Sequence, residues 1–320
     1  MRICLAGEGA QGISHADVLQ DIEGVEIVTL AGGIAADAEA FAYERGIPHW
    51  SLDLEECLSR DGVEAVILTT PNQVHCAQTE LALNMGKHVL VEIPMGISLA
   101  ESQRIAALEE RTGLVCMVCH TQRYNSAFRE VYRQVQEGEL TLHHIVQQTY
   151  FFRRRNENRF GKKRTWVDAL LWHQACHMVD MCYWLLDDPD MEGWGQAGPL
   201  HAELGVPMDI SIGMRTKDGK LVTSANSFNN YGPIYSEYRF SAEGEVDRSR
   251  RTGDRATGRW GDRRAGPRVL RIDKSGATAV DQLPGLSADD GDSRPYPAVD
   301  RRLSGDFEQS VLAGEGVALA

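Results

Sequence analysis

The stretch Gly7-Glu8-Gly9-Ala10-Gln11-Gly12 decides the fold of this chain. It follows a short apolar run and opens a helical pattern, the strand–turn–helix context in which G-x-G-x-x-G indicates a dinucleotide site. Gly7 would allow the tight turn, Gly9 would let backbone N–H groups approach a pyrophosphate, and Gly12 would let the helix pack on the strand. The positive end of that helix would face the phosphates. The alternative is a glycine-rich surface turn. The predicted cofactor contacts here are Gly7, Gly9, Ala10, Gln11 and Gly12.

Composition limits what the protein can be. A chain of 320 residues predicts two domains. It contains no apolar run of about 18 residues and no signal-type start, so we expect a cytoplasmic protein without membrane contact. Seven scattered cysteines fit a reducing compartment better than a disulfide framework. The net charge of −13 argues against a nucleic-acid partner. An anionic small-molecule substrate would therefore need a local cluster of arginines.

Residues 1–120 alternate strand-like apolar runs with helical patterns. This alternation predicts a doubly wound parallel sheet of the Rossmann type, with the cofactor at its carboxyl edge. The predicted strands are 3–6, 25–31, 65–69, 88–91 and 114–119, and the predicted helices are 13–22, 35–45, 54–60, 74–85 and 99–111.

Residues 121–242 have a different rhythm, which predicts an α+β domain for substrate binding and oligomerisation, as a homodimer or higher homo-oligomer. The turn Lys217-Asp218-Gly219-Lys220 carries an Asp-Gly hairpin signal, which favours a mainly antiparallel sheet. The predicted helices are 127–137 and 167–186, and the predicted strands are 144–152, 208–216, 221–228 and 234–241.

The last segment, 243–320, is rich in Arg, Gly and Asp and lacks apolar periodicity. Two interpretations compete for it. It is either a flexible extension or the product of out-of-frame translation.

Two further motifs follow later strands and would share the carboxyl edge with the glycine turn. Thr70-Pro71-Asn72 and Glu92-Ile93-Pro94 place Asn72 and Glu92 near an expected nicotinamide, although prolines also end strands for structural reasons alone. The end of the second strand reads Ala31-Gly32-Gly33-Ile34, with neither the acid that binds the ribose of NAD nor an Arg for the phosphate of NADP. The predicted contacts from these motifs are Thr70, Pro71, Asn72, Glu92 and Pro94.

The predicted helix 167–186 carries His173, His177 and Asp180 at i, i+4 and i+7, on one face. Two histidines so spaced could bind zinc, but no H-E-x-x-H glutamate accompanies them, so we expect no metal. Proton transfer and substrate binding by His173 and His177 are the favoured interpretation, against ordinary structural histidines. Cys116 and Cys119 form a C-x-x-C that we interpret as part of a buried strand, with the two side chains on opposite faces.

Arginines supply the expected substrate contacts. Arg123 lies just past the first domain, and Arg153, Arg154 and Arg155 follow a predicted strand. Guanidinium groups bind carboxylates in bidentate fashion, so the substrate is expected to carry carboxylates. A solvated basic loop is the alternative for the triple. The predicted substrate-binding residues are Arg123, Asn125, Arg153, Arg154 and Trp172.

These motifs, with Gly86-Lys87-His88-Val89, resemble the Gfo/Idh/MocA oxidoreductase family. The resemblance implies a nicotinamide-dependent dehydrogenase, with NADP as the expected cofactor and NAD as the alternative. Segments 148–154, 170–173 and 227–230 carry a narrower likeness, to an enzyme of protocatechuate 4,5-cleavage. That likeness implies oxidation of the cyclic hemiacetal of a carboxylated semialdehyde to a lactone.

The chain departs from the family pattern at several positions. Ile93 replaces the Lys that is usual in the family, and the narrower likeness implies Ile at the same position. Gln122 and Gln174 stand where Arg and His are expected, and Gly32-Gly33 stands where Ser-Arg would bind the NADP phosphate. A sugar or inositol dehydrogenase and a non-catalytic dinucleotide-binding paralogue therefore stay open as alternatives.

Overall fold

A computed structural model describes residues 1–157, 163–164, 166–231 and 234–244, and the backbone of strands at 268–273 and 278–281. The described residues form two compact units. The first comprises Met1–His120 with Asn156–Asp168, and the second comprises Thr121–Arg155 with the chain from Ala169. Of the predicted tail 243–320, all but its first two residues and these two strands lies outside the described residues.

The first unit contains a parallel six-stranded sheet in the order β3-β2-β1-β4-β5-β6, which confirms the Rossmann expectation. The order reverses between β1 and β4, the point at which such sheets bind nucleotides. The strands are β1 (Arg2–Ala6), β2 (Glu26–Ala31), β3 (Trp50–Ser51), β4 (Ala65–Leu68), β5 (His88–Val91) and β6 (Cys116–Val118). The helices are α1 (Ala10–Leu19), α2 (Ala35–Glu44), α3 (Leu54–Leu58), α4 (His75–Asn84) and α5 (Leu99–Thr112).

Two predictions for the first unit were wrong. The first helix begins at Ala10 rather than residue 13, because extended Gly9 is already its N-cap residue. Strand β6 is not a buried strand, since it lies at the edge of the sheet, and both Met117 within it and Val115 just before it are exposed.

The second unit contains a seven-stranded sheet in the order β13-β12-β11-β7-β10-β9-β8. All its pairs are antiparallel except β7 with β10, which confirms a mainly antiparallel α+β domain. The strands are β7 (Leu140–Tyr150), β8 (Glu192–Ala197), β9 (Asp209–Arg215), β10 (Leu221–Ser227), β11 (Tyr235–Gly244), β12 (Arg268–Asp273) and β13 (Thr278–Asp281). The helices are α6 (Ser126–Gln136) and α7 (Cys176–Leu186), and they bury their apolar faces in one core with the sheet.

The predicted helix 167–186 was wrong in its first part. Helical backbone begins at Leu170, and Leu171–Ala175 form a π-helical turn that leads into α7. Asp168 is held instead in a buried ion pair with Arg164 and accepts a hydrogen bond from the indole of Trp166. These contacts hold the backbone at residues 167–169, where the sequence pattern had predicted the first turn of the helix. Among the described residues, no helix has the length and apolarity needed to cross a membrane.

Candidate active site

The glycine turn between β1 and α1 is sterically closed at two of its three glycines. Gly7 has φ +103°, and a Cβ there would lie 2.7 Å from Oγ1 of Thr69. A Cβ on Gly12 would lie 2.0 Å from the carbonyl oxygen of Gly7. Thr69 closes the same corner by donating its hydroxyl to the Gly7 carbonyl at 3.1 Å. Neither glycine can be replaced without moving the backbone.

Gly9 differs from both of these glycines. Nothing lies within 4 Å of the Cβ position at Gly9, so this side of the turn is open. No side chain caps α1, and Ala10 and Gln11 are its first two residues. An open backbone at a helix N-terminus suits a pyrophosphate, so these residues fit a dinucleotide.

Glu8 contributes a contact that the sequence reasoning missed. Its carboxylate reaches the end of β2 and accepts hydrogen bonds from the backbone N–H of Gly33 and of Ile34, each at 3.0 Å. The second-strand motif contains no acid of its own, but an acid from the first turn lies against it.

The two later motifs of the carboxyl edge are tied together by a histidine that the sequence reasoning also missed. The buried ring of His75 has Nδ1 2.8 Å from the carbonyl oxygen of Pro94 and Nε2 2.8 Å from that of Thr70. Asn72 is buried in the turn that follows Pro71. The structure thus brings the predicted cofactor residues of β4 and β5 together.

Glu92 lies in a small cluster with His15 and Cys119. Nε2 of His15 donates to Oε1 of Glu92 at 2.8 Å, and Sγ of Cys119 lies 4.0 Å from the same nitrogen. Burial alone would raise the pKa of Glu92, but the hydrogen bond and charge of His15 outweigh it and lower that pKa. Burial, together with the charge of Glu92, raises the pKa of Cys119 to about 12. The ligand-type atoms lie within 4.8 Å of one another, so this cluster is the set of described residues with metal-ligand spacing.

In the second unit, Trp172 and His173 lie in the π-helical turn and His177 lies in the first turn of α7. A π turn pairs i with i+5 and widens the helix, so the α-helical spacing that put His173 and His177 on one face does not hold across it. π turns often occur at functional sites. All three side chains are half-buried.

Arg123 has a partner within the same unit. Its Nε and Nη2 donate to the two carboxylate oxygens of Asp180, at 2.8 Å and 2.5 Å. The hydrogen bond that Arg123 donates to Asp180 raises the pKa of Arg123. Asn125 is the N-cap of α6 and accepts the N–H of Ala127 at 2.9 Å. Both predicted substrate residues therefore hold structural positions, with Asp180 one turn after His177.

Arg153 and Arg154 follow β7 at the edge where the neighbouring parallel strand β10 also ends. The backbone N–H of Arg153 donates to the carbonyl of Phe228 at 2.9 Å, and its guanidinium lies 6.0 Å from the centre of that ring. Nη1 of Arg154 donates to the hydroxyl of Tyr231 at 3.3 Å. The buried Nε of Arg154 has no hydrogen-bond partner among the described residues. Parallel pairing thus joins two motifs that lie about 75 residues apart.

A polar row runs across the face of this sheet that carries the core. Its members are Gln147, Thr149, Ser224, Asn226 and Ser236, and the first four are buried. Asn226 donates to Ser224 at 2.8 Å, Ser224 to Gln147 at 2.5 Å, and Gln147 to Thr149 at 2.5 Å. Thr149 and Ser236 share a hydrogen bond of 3.1 Å.

The polar row ends on an unused acceptor. Oδ1 of Asn226 is buried and has no hydrogen-bond partner among the described residues. Its register partner Ile210 packs in one cluster with Leu170, and Leu171 of the π turn packs against that cluster. A buried acceptor of this kind suits a hydroxyl donor. Sequence reasoning missed the polar row, because alternation marks its positions simply as one face of a strand.

Two family models match the chain. One describes an oxidoreductase family with an NAD-binding Rossmann fold and matches residues 1–120, and the other describes the C-terminal part of bacterial oxidoreductases and matches residues 126–258. The 4-carboxy-2-hydroxymuconate-6-semialdehyde dehydrogenase of Sphingobium sp. (strain NBRC 103272 / SYK-6) is 43% identical over 240 residues, 75% of this chain and 76% of the relative.

More distant matches are also found. The scyllo-inositol 2-dehydrogenase (NAD(+)) of Bacillus subtilis (strain 168) is 32% identical over 44% of the chain and 41% of the relative. Among solved structures, the WlbA dehydrogenase from Bordetella pertussis in complex with NADH and UDP-GlcNAcA has a TM-score of 0.72 at 17% identity. That match covers 90% of this chain and 79% of the other, and at this identity it bears on the fold alone.

Proposed function

Since this chain belongs to the Gfo/Idh/MocA oxidoreductase family, we propose that it oxidises 4-carboxy-2-hydroxymuconate-6-semialdehyde to 2-pyrone-4,6-dicarboxylate, with NADP or NAD as the hydride acceptor. The reacting form is the cyclic hemiacetal. The protein is a dehydrogenase acting on a CH–OH group, and in the proposed reaction that group belongs to the hemiacetal. The reaction removes a hydride from the hemiacetal carbon and a proton from its hydroxyl, leaving the lactone carbonyl.

The observation that carries the proposal is the pairing of arginines with a polar row in the second unit. Arg153 and Arg154 stand at the carboxyl end of β7, and buried hydrogen-bonding groups occupy the same ends of β7 and β10. Guanidinium groups suit the two carboxylates of the substrate. Its hemiacetal hydroxyl can donate to the acceptor of Asn226 as the substrate binds, before that hydroxyl turns to His177. The relative from Sphingobium, named for this substrate, supports the same choice.

The glycine turn, Thr70, Asn72 and Pro94 would hold the dinucleotide, which supplies a hydride acceptor. The chain's own residues do the rest. His177 takes the proton of the hemiacetal hydroxyl, and His173 and Trp172 contact the ring. Asp180, anchored by Arg123, fixes the helical turn that follows His177. Nη1 of Arg123 and the amide nitrogen of Asn125 would contact a substrate carboxylate.

The test is formation of reduced nicotinamide at 340 nm with the semialdehyde, compared with scyllo-inositol, under the same conditions. Turnover of the semialdehyde that falls strongly in Arg154→Gln supports the proposal. A matched control is Arg215→Gln, an exposed arginine on β9. Turnover of the inositol alone would contradict it.

A polyol dehydrogenase is the second candidate, and one observation favours it. The polar row would bind several hydroxyls, and the relative from Bacillus is a polyol dehydrogenase by name. In that case Asn226→Leu would abolish activity, and Arg154→Gln would leave it nearly unchanged.

A further inference from the structure

The part of the dinucleotide site expected to bind the adenosine ribose contains the carboxylate of Glu8, although the second-strand motif itself has no acidic residue. In Rossmann domains an acid at the end of β2 binds the ribose 2′-hydroxyl of NAD, and a nearby arginine accommodates the 2′-phosphate of NADP. Here the carboxylate of Glu8 lies at the end of β2, held by the N–H groups of Gly33 and Ile34. The acid that occupies this position comes from the glycine turn itself.

We infer that Glu8 selects dinucleotides with a free ribose 2′-hydroxyl, the NAD class, over their 2′-phosphorylated counterparts. This rests on the dinucleotide site of the proposed function, but on no property of its semialdehyde substrate. An ionised carboxylate offers about four acceptor positions. The three contacts from Gly33 and Ile34 leave room for a hydroxyl donor, whereas a 2′-phosphate would face a fixed negative charge at that place.

The sequence around this motif is acidic, and the next arginine along the chain, Arg45, is paired with Asp17 and Glu44. Residues 7–44, which include β2 with the turns and helices on both sides of it, contain eight acidic residues and no Lys or Arg. Asp37 lies in the first turn of α2, next to the same site. The local charge therefore opposes an additional phosphate.

The two glycines of this motif differ in what they could accept. A Cβ on Gly32 would lie 2.3 Å from Cβ of Ala38, so no serine fits there without a shift. A Cβ on Gly33 would meet Oε1 of Glu8 at 3.6 Å, an ordinary contact. An arginine is therefore acceptable at 33 once Glu8 is shortened, which gives a variant designed to reverse the preference.

A structural role for Glu8 competes with this inference, because the same carboxylate caps the entry to α2. A residue that only caps a helix would affect both dinucleotides equally when it is replaced. The ratio of the two affinities separates the roles, since charge at the 2′ position changes one affinity and not the other.

The experiment titrates the full chain with NADH and with NADPH and follows nicotinamide fluorescence. We expect the wild type to bind NADH at least about tenfold more tightly, as for a charge-assisted hydrogen bond. Glu8→Gln should reduce that ratio about tenfold, and the double variant E8A/G33R should invert it. Glu44→Gln, which changes the net charge equally at the far end of α2, should leave the ratio unchanged.

Equal wild-type affinities for NADH and NADPH would overturn the inference. So would a Glu8→Gln variant that weakens both equally, since that result identifies a cap. Failure to bind either dinucleotide would remove the proposed function as well. A preserved NADH preference without semialdehyde turnover would remove only the substrate proposal.

Discussion

The glycine turn and the histidine segment, defined as the π turn Leu171–Ala175 with α7, are built in opposite ways. The turn would bind its ligand through backbone N–H groups, and Gly7 and Gly12 are required there because a side chain would clash. The histidine segment presents side chains, and its geometry depends on partners from distant strands and loops. Added volume should therefore damage the first, and lost charge or lost hydrogen bonds should damage the second.

The largest effect expected in the histidine segment follows replacement of His177. His177→Asn removes the proton acceptor and should lower kcat by about 10²–10⁴-fold, the usual range for general-base catalysis. The affinity for NADH, measured by fluorescence, should stay within about twofold. An equal loss in both quantities would show that His177 supports the fold and that the contrast with the turn is wrong.

The matching test on the turn adds a single methyl group. Gly12→Ala places a Cβ on the carbonyl of Gly7, and overpacking of this kind costs about 1–3 kcal/mol. Dinucleotide affinity should fall by about 10–100-fold. Gly46→Ala, where nothing lies within 4 Å of the Cβ but φ is +64°, is the control for backbone strain without a clash. Its dinucleotide affinity should not change.

The anchor of the histidine segment should show an intermediate effect. Asp180→Asn weakens the bidentate ion pair with Arg123. The free energy of unfolding should fall by about 1–2 kcal/mol, because the Asp180 side chain is only 10% exposed. Urea denaturation measures this. Asp190→Asn removes an exposed ion pair with Lys217 and should change stability by less than about 0.5 kcal/mol. Similar losses of stability for both pairs would contradict the claim that the ion pair of Arg123 with Asp180 stabilises the fold more than an exposed pair does.

The smallest effect concerns Glu92 in the first unit. Like the histidine segment, it acts through a charged side chain, which accepts a hydrogen bond from His15. Its pKa is lowered in the folded state, so its stabilisation is present above the unfolded-state pKa and disappears as pH falls through the folded one. Glu92→Gln should therefore cost about 1 kcal/mol at pH 7 and nothing in acid. Thermal melting across pH 3–8 checks this, with exposed Glu110→Gln as the control. A pH-independent difference would show that shape rather than charge matters at Glu92.

The predictability of the two regions follows their construction. The turn was predictable because the requirement for glycine is local, and Gly7 and Gly12 meet it through contacts with the turn itself and the adjacent strand. The position of Glu8 was not, because its carboxylate lies against residues 25 positions away. The residues at the end of β2 do not reveal an acidic side chain that comes from the turn after β1.

In the second unit, the identity of the histidines was visible but their setting was not. Periodicity predicted a regular α-helix from residue 167, and nothing in that pattern predicts a π turn. Nor does the pattern predict the buried pair of Asp168 with Arg164, which belongs to the first unit. The pairing of β7 with β10 is parallel and non-local, so the polar row could not be assembled from either strand alone. The contact of Arg123 with Asp180 could not be predicted, because the two residues lie 57 positions apart in the chain.

The polar row also has a direction. Each of its amide and hydroxyl donors points to the next member, from Asn226 through Ser224 and Gln147 to Thr149, so the row ends with an acceptor on β10. Reversing one amide would force its neighbours to reverse too, because each hydroxyl has a single hydrogen. A hydroxyl bound at Asn226 would therefore set the orientation of every dipole across three strands.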